Sequence, residues 1–213
     1  MGESTKGTSP SKIAKVAVAT AADLGTGWTQ YQKAAGVATF NKKACSVKAG
    51  SPVSSSDSGY SGPMYTNAAK NMFAYSSAVV FRNEADAKAH TGVLATPTFQ
   101  NCKVAEDDAA QKHRDAKTFV KLYGTKTSDV GSPAGLEAYY SETEGSKNAA
   151  GEDALDAEYL RFVYRHGRVV YTLLLDVALA SDTAAATALN DQIGTTIEAM
   201  NTAIDARLSA AGV

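Results

Sequence analysis

The residues best suited to bind a ligand lie in one segment, AEYLRFVYRHGRVVYTLLLDV, at positions 157–177. Two runs of alternating residues meet at His166–Gly167, a pattern typical of a β-hairpin with a two-residue turn. One face of this hairpin is apolar, and the other carries Tyr159, Arg161, Arg165, Arg168 and Thr172. In this register Arg165 faces Arg168, and the two repel unless solvent, an acidic neighbour or an anionic ligand offsets them. The sequence leaves open whether this face is solvated and locally paired or binds a ligand.

The sequence lacks the familiar catalytic and metal-binding patterns. It contains no GxSxG, HExxH, P-loop or protein-kinase signature. His90, His113 and His166 are too far apart in sequence to suggest a metal site, and we expect them to be solvated. The adjacent Asp107 and Asp108 are explained by the start of a helix, where acidic side chains are favourable. We therefore expect no catalytic residues, no metal and no cofactor.

Cys45 and Cys102 are the two cysteines of the chain, and neither belongs to a CxxC motif. A disulfide between them would close a loop of about 58 residues and contribute roughly 4 kcal/mol by restricting the unfolded chain. Such a bond would be typical of an exported protein. Two unrelated buried thiols, as in many cytosolic proteins, are the alternative.

Length and charge limit the class of protein. The chain has 213 residues, 44% of them hydrophobic, which suits a single domain with a sizeable core. We expect residues 1–12 to be a flexible leader and residues 13–213 to be one domain. The net charge of −1 creates no field that would attract nucleic acid or an anionic membrane. No apolar run approaches the roughly 18 residues that cross a bilayer, so membrane contact is expected only through an anchor outside these residues.

The elements expected before the hairpin begin with a strand or lead-in at 13–19. A turn follows, and then Trp28, which we expect to pack in the core. Residues 49–71 are rich in Ser, Gly and Pro and predict a long loop carrying Tyr60 and Tyr65.

Alternating strands and helices are predicted next. Residues 73–81 have the composition of a strand, and Asn83 is a suitable N-cap for a helix that follows. Residues 104–123 begin as a second helix, but their last part fits either a helix or a strand. Residues 136–143 predict another strand.

A long amphipathic helix is predicted after the hairpin. Its apolar residues recur at steps of three and four and form one stripe: Leu189, Ile193, Ile197, Met200, Ile204 and Leu208. The stripe predicts a helix that packs on the apolar face of the hairpin. A dimer seam is the alternative.

The order of these signals resembles a known family. ADLGTGW, Cys45, a strand, NEADAKAHTGVLATPTFQNC, the RHGRVV hairpin and a closing helix follow one another as in the extracytoplasmic sensor-like domains and lipoproteins of actinobacteria, including the external domain of PknH-type kinases. The resemblance covers most of residues 18–208. It implies an α+β fold with a curved antiparallel β-sheet, helices packed on one face, a disulfide that here must join Cys45 and Cys102, and a groove for an unidentified ligand.

This chain also departs from that family. PknH-type domains are expected to carry two disulfides, whereas this chain can form a single disulfide, and it contains no kinase or membrane segment. These departures favour a free-standing secreted or lipid-anchored protein over a sensor.

The sequence thus predicts an extracytoplasmic, cell-envelope protein without enzymatic activity that binds a small or lipid-like ligand as a monomer. The expected contacts are Tyr159, Arg161, Arg165, Arg168 and Thr172 from the hairpin, with Tyr60 and Tyr65 from the long loop. The alternatives are an interaction or structural module of the envelope, which would expose a flat apolar patch, and a hydrolase with a site assembled across loops.

Overall fold

The described part of the chain is built on one antiparallel sheet of eight strands. The computed structural model describes residues 8–38, 44–54, 57–125, 135–179 and 183–213. The strands are β1 (Thr29–Gln32), β2 (Gly36–Ala38), β3 (Ser58–Asn67), β4 (Met72–Val80), β5 (Thr118–Leu122), β6 (Leu136–Lys147), β7 (Asp153–His166) and β8 (Val169–Ala178). Their order across the sheet is β1-β3-β4-β8-β7-β6-β5, and β2 also pairs with β3.

The helices of the described residues pack on this sheet from both sides. They are α1 (Pro10–Val16), α2 (Ala21–Leu24), α3 (Cys45–Lys48), α4 (Glu84–Leu94), α5 (Pro97–Arg114) and α6 (Thr183–Ala210). Helices α1, α2 and α6 cover one face, and α3, α4 and α5 cover the other. The α+β class and the antiparallel sheet are confirmed, but helices lie on both faces rather than on one. The second face also needs cover, because it carries apolar side chains such as Val163 and Val170.

The larger core lies between the sheet and α6. The apolar stripe of α6 is buried from Ile193 to Leu208, where it packs with the apolar face of the β7–β8 hairpin. Trp28 joins the same core, as the sequence predicts. Neither α6 nor any other helix of the described residues combines the length and apolarity needed to cross a membrane.

The hairpin turns one residue later than the sequence suggests. Its loop is Gly167–Arg168, where Gly167 has a φ of 54°, a conformation that glycine adopts at little cost. Arg165 therefore pairs with Val170 and does not face Arg168. Side chains alternate with a period of two, so this change of partner by two residues leaves the apolar face as predicted.

Residues 58–67 form a strand, although the sequence predicts a loop over 49–71. β3 pairs with β4 along its length, and its small residues allow close packing. A Cβ on Gly62 would lie 3.0 Å from the Ser76 carbonyl oxygen and 3.1 Å from Cβ of Val18. The glycine content thus reflects close approach between elements as well as turns.

Two other segments differ from the sequence prediction. The segment 13–19, expected to be a strand or lead-in, is helical as far as Val16, because α1 begins at Pro10, a residue favoured in the first turn; residues 17–19 follow the helix. Helix α5 begins at Pro97, well before residue 104, because Thr96 caps it by accepting a hydrogen bond from the Phe99 amide. The ambiguous end of the predicted helix is β5.

The predicted disulfide is confirmed. Cys45 opens α3 and Cys102 lies in α5, and their sulfur atoms are bonded with the Cα atoms 5.6 Å apart. The bond ties the segment around α3 to α5, the helix that borders the candidate site.

Candidate functional site

A cavity of about 300 Å³ lies between α5 and the sheet, on the face opposite α6. We call it the α5 cavity. The large apolar side chains that line it form its apolar wall; they come mainly from β3, β4 and β8, with one from β5, and they are Met64, Phe73, Tyr75, Leu174 and Val120. Its polar wall comes from α5 and from β6, β7 and β8, and consists of Asp107, Gln111, Arg114, Glu142, Glu144, Tyr159, Arg161 and Asp176. The cavity is therefore amphipathic, with more carboxyl groups than guanidinium groups.

Arg161 is held in a network of acidic side chains. Its Nη1 donates to Oε2 of Glu142 over 2.7 Å, and its Nη2 donates to Oδ2 of Asp107 over 3.0 Å. The guanidinium carbon also lies 5.2 Å from the centre of the Tyr140 ring. Two carboxylates and one aromatic face thus already balance the charge of Arg161.

Glu142 is the most deeply buried charged group of the cavity, since its side chain is 1% exposed. Burial raises the pKa of Glu142, Arg161 opposes that effect, and the Asp107 carboxylate raises the pKa further. Its Oε1 has no hydrogen-bond donor among the described residues. Glu142 is therefore a buried carboxyl group with one oxygen held by Arg161 and the other without a donor among the described residues.

Glu144 is positioned by neutral donors. Its Oε2 accepts a hydrogen bond from Nε2 of Gln111 over 2.5 Å and another from the hydroxyl of Tyr159. The cavity's polar wall is thus joined across β6, β7 and α5. Within the described chain Glu144 has no cationic partner, so its negative charge is not balanced locally.

Asp176 lies in β8 directly between Phe73 of β4 and Tyr159 of β7. Burial raises the pKa of Asp176 to about 6, and the neighbouring Glu144 contributes to the rise. The carboxyl group of Asp176 has no hydrogen bond or ion pair with any described residue, although its backbone lies within the paired sheet. At neutral pH it is a half-buried carboxylate beside an apolar wall and a second carboxylate.

Two of the seven predicted ligand contacts, Tyr159 and Arg161, line the α5 cavity. Arg165 instead pairs with Glu137, with Nη2 lying 2.9 Å from Oε1. Arg168 is in the hairpin turn and borders a different cavity, next to the C-terminal residues 211–213. Thr172 shares the strand face with Arg161 but lies outside the α5 cavity.

Tyr60 and Tyr65 lie on the other side of the sheet. Tyr65 is buried in the core under α1 and α6, and Tyr60 packs against the same core. The structure therefore does not bring these two tyrosines together with the hairpin arginines. The two residues are five positions apart, and the irregular β3–β4 pairing between Ser61 and Met64 is what brings both side chains to the α6 face.

Sequence reasoning missed most of the polar wall. Glu142 and Glu144 alternate within the apolar strand β6, and Asp176 follows the apolar run of β8. Carboxylates inside otherwise apolar strands are a recognisable signal, because a strand interior rarely tolerates them without a partner or a function. Asp107 was assigned to a helix start, but it lies within α5 and reaches Arg161.

A buried serine–histidine pair lies apart from the cavity. Oγ of Ser51 is 2.6 Å from Nδ1 of His90, and the two residues are 8% and 7% exposed. Burial lowers the pKa of His90 to about 4, with Asp57 acting in the opposite direction. Neither Ser51 nor His90 lines either of the two cavities described above. The expectation that His90 is solvated is therefore wrong, because α4 turns this side chain towards Phe81 in the core.

No metal centre is formed in the part of the chain that the structure describes. The one group of three metal-ligating side chains whose ligand atoms lie within 4.8 Å of one another is Cys45, Cys102 and Glu106. Its cysteines form the disulfide. The carboxylates of the α5 cavity do not converge in this way.

Comparison with known proteins gives structural neighbours at low identity. No protein-family model matches the sequence, and no match is found among curated proteins. The extracellular domain of PknH from Mycobacterium tuberculosis is similar at a TM-score of 0.39 and 12% identity, covering 91% of this chain and 98% of that one. An uncharacterized protein from Mycobacterium smegmatis is similar at a TM-score of 0.38 and 10% identity, and the match covers 88% of this chain and 96% of that one. LpqN of Mycobacterium tuberculosis, described as involved in cell envelope biogenesis, is similar at a TM-score of 0.29 and 11% identity. That match covers 82% of this chain and 78% of the LpqN chain. These neighbours agree with the resemblance to actinobacterial extracytoplasmic sensor-like domains and lipoproteins, which includes the PknH-type external domain.

Proposed function

We propose that this protein is an extracytoplasmic, non-enzymatic binding domain and that the α5 cavity is its ligand site. The observation that carries the proposal is the division of the cavity into an apolar wall and a wall of polar groups that hold one another in place. Small-molecule sites combine apolar surface with a few fixed polar groups in this way. The ligand is a small or lipid-like molecule that presents both kinds of surface.

The disulfide supports an extracytoplasmic location. Disulfides such as Cys45–Cys102 persist in oxidising compartments and are rare in the cytosol. The bond also holds α5, which forms one side of the cavity, to the segment around α3. A lipid anchor or secretion as a free protein are both compatible with this arrangement.

The contacts support binding rather than catalysis. Arg161 is occupied by Glu142 and Asp107, and the buried Ser51–His90 pair lies outside the cavity. A nucleophile acts on substrate only when the substrate can reach it.

The described surface does not favour an interaction module with one flat apolar patch. Its large exposed apolar side chains are Tyr31, Val37, Tyr123 and Leu155. Tyr31 and Val37 lie on β1 and β2 at one edge of the sheet, whereas Tyr123 and Leu155 lie towards the other edge. They are therefore divided between two regions.

The test uses eight-carbon probes with different head groups, n-octylammonium, n-octanol and n-octanoate, followed by amide NMR titration. Ala110 is exposed on α5 and lines the cavity, so Ala110→Trp should block the cavity without disturbing the fold. Ala109→Trp is the matched control, because Ala109 is also exposed on α5 but does not line the cavity. We expect saturable shifts around the cavity for at least one probe in the unmodified and Ala109→Trp proteins, and none in Ala110→Trp. No saturable binding, or binding that persists in Ala110→Trp, would contradict the proposal.

A further inference from the structure

We infer that the α5 cavity selects a ligand in which a positively charged amine is joined to an apolar body. The inference rests on the proposed function and specifies the chemical class of its ligand. The sequence leaves the charge of the ligand open, since an anion is only one of the ways in which the hairpin arginines could be offset.

The charge of the cavity is the first argument. Its lining contains four carboxyl groups and two guanidinium groups. Arg161 is committed to Glu142 and Asp107. Arg114 is exposed, and its hydrogen bond goes to Oε1 of Gln111 over 3.5 Å. Lys103 also pairs with Asp107, so the charges of Glu142 and Asp107 are offset by Arg161 and Lys103. Glu144 and Asp176 remain against the single charge of Arg114, which contacts neither of them, so the lining keeps a net negative charge and an incoming cation is favoured over an anion.

The available hydrogen-bond acceptors are the second argument. Asp176 has no donor in the described part of the chain, and both donors to Glu144 go to its Oε2. Glu142 is 1% exposed and lines the same cavity, and its Oε1 also lacks a donor. An ammonium group supplies three donors and no acceptor, which complements a wall of carboxylate oxygens.

The apolar wall supplies the rest of the site. Phe73 lies directly across the β4–β8 pairing from Asp176, and Tyr75 lies across from Leu174. Tyr31 extends this aromatic surface outwards, since its ring centre is 5.3 Å from that of Phe73. Aromatic faces attract cations and also pack against hydrocarbon, so an amine held by Asp176 would have its apolar body on this wall.

The same geometry disfavours a metal ion as the cation. Oxygen ligands of a bound Ca²⁺ lie about 2.3 to 2.6 Å from the ion, so they lie close to one another. Among the described residues, no three ligand atoms of the cavity come within 4.8 Å of one another. Spread carboxylates beside an aromatic wall suit an extended organic cation better.

The affinities of the three eight-carbon probes test this inference, because the probes share one tail and differ in head-group charge. Calorimetry at pH 7.5 should give n-octylammonium roughly tenfold to a hundredfold tighter binding than n-octanol, since hydrogen bonds to charged groups are the stronger ones. n-Octanoate should bind more weakly than n-octanol. Asp176→Asn should reduce n-octylammonium affinity roughly tenfold and change n-octanol affinity less than about twofold, because it removes charge and keeps shape. Asp191→Asn is the matched control, an equal charge change at an exposed position on α6.

The outcomes separate the two proposals. If n-octanol or n-octanoate binds as tightly as n-octylammonium and Ala110→Trp abolishes that binding, the cavity is a ligand site and the amine inference is overturned. If Asp191→Asn weakens n-octylammonium as much as Asp176→Asn does, the preference comes from net charge and the inference is also overturned. If n-octylammonium is preferred and still binds Ala110→Trp, the cavity is not the site and both proposals fail.

Discussion

The guanidinium of Arg161 lies 2.7 Å from Oε2 of Glu142, and both groups are largely removed from solvent. Removing one member of such a pair leaves the other as an uncompensated buried charge. Arg161→Met should therefore lower the free energy of unfolding by about 3 to 5 kcal/mol, as measured by urea denaturation at pH 7.

Arg165→Met provides the control for this prediction. Arg165 pairs with Glu137 at the same strand face but in a more exposed position, so its removal should cost less than about 1 kcal/mol. An equal decrease in the free energy of unfolding in the two variants would contradict the prediction, because it would show that burial does not make the Arg161 ion pair more costly to break. The double variant Arg161→Met with Glu142→Gln should recover part of the loss, because the orphaned charge is gone.

Asp176 should destabilise the protein at neutral pH. Its pKa is raised from 3.8 to about 6 by burial and by Glu144, so the folded state binds a proton more tightly than the unfolded state. The groups around it are Glu144 from β6, Tyr159 from β7, and Asp107 and Arg114 from α5. Stability is therefore lost as the pH rises from about 4 to about 6.

Asp176→Asn should raise the free energy of unfolding at pH 7.5 by at most about 3 kcal/mol, and by little at pH 4. Denaturation curves at both pH values measure this. Asp191→Asn should show no such pH dependence, because Asp191 is exposed. A variant less stable than the unmodified protein at pH 7.5 would mean that Asp176 has a stabilising partner.

His90 should lower the stability of the protein at acidic pH, whereas Asp176 lowers it at neutral pH. Burial lowers its pKa from 6.5 to about 4, so the unfolded state binds a proton more tightly, and stability is lost as the pH falls from about 6.5 to about 4. Relative to the unmodified protein, His90→Gln should therefore gain up to about 3 kcal/mol between pH 7 and pH 4. His113→Gln is the control, because His113 is exposed on α5. A constant difference between the His90→Gln and unmodified proteins over this range would rule out His90 as an acid-sensitive group.

The Cys45–Cys102 disulfide should stabilise the fold by about 4 kcal/mol, because it closes a long loop in the unfolded chain. The residues are separated by 57 positions. The double substitution of both cysteines by alanine should show this loss in guanidinium denaturation, and added reductant should not change the stability of that variant further. Reductant should destabilise the unmodified protein to a similar extent, and equal stability with and without reductant would contradict the prediction.

Local pattern was enough to predict much of the sheet. The apolar alternation of β7 and β8 identified the core face, and the stripe from Ile193 to Leu208 identified the surface of α6 that covers it. These predictions succeeded because each depends on the repeat of one element, two residues in a strand or about 3.6 in a helix. The prediction failed where a residue type was present for packing. In β3 the glycine and serine content predicted a loop, but Gly62 lies in a strand and packs closely against its neighbours.

The sequence by itself determined the α+β class, the two cysteines that can bond, and the arginine-bearing face of the hairpin. Only the tertiary structure decided what that face contacts. Arg161 meets Asp107 across 54 positions of sequence and Glu142 across 19, because strand order and the placement of α5 bring them together. A hairpin pattern specifies which way a side chain points, but its partners come from elements distant in sequence. For that reason the sequence could not show that the arginine-bearing face forms part of a cavity rich in carboxylates.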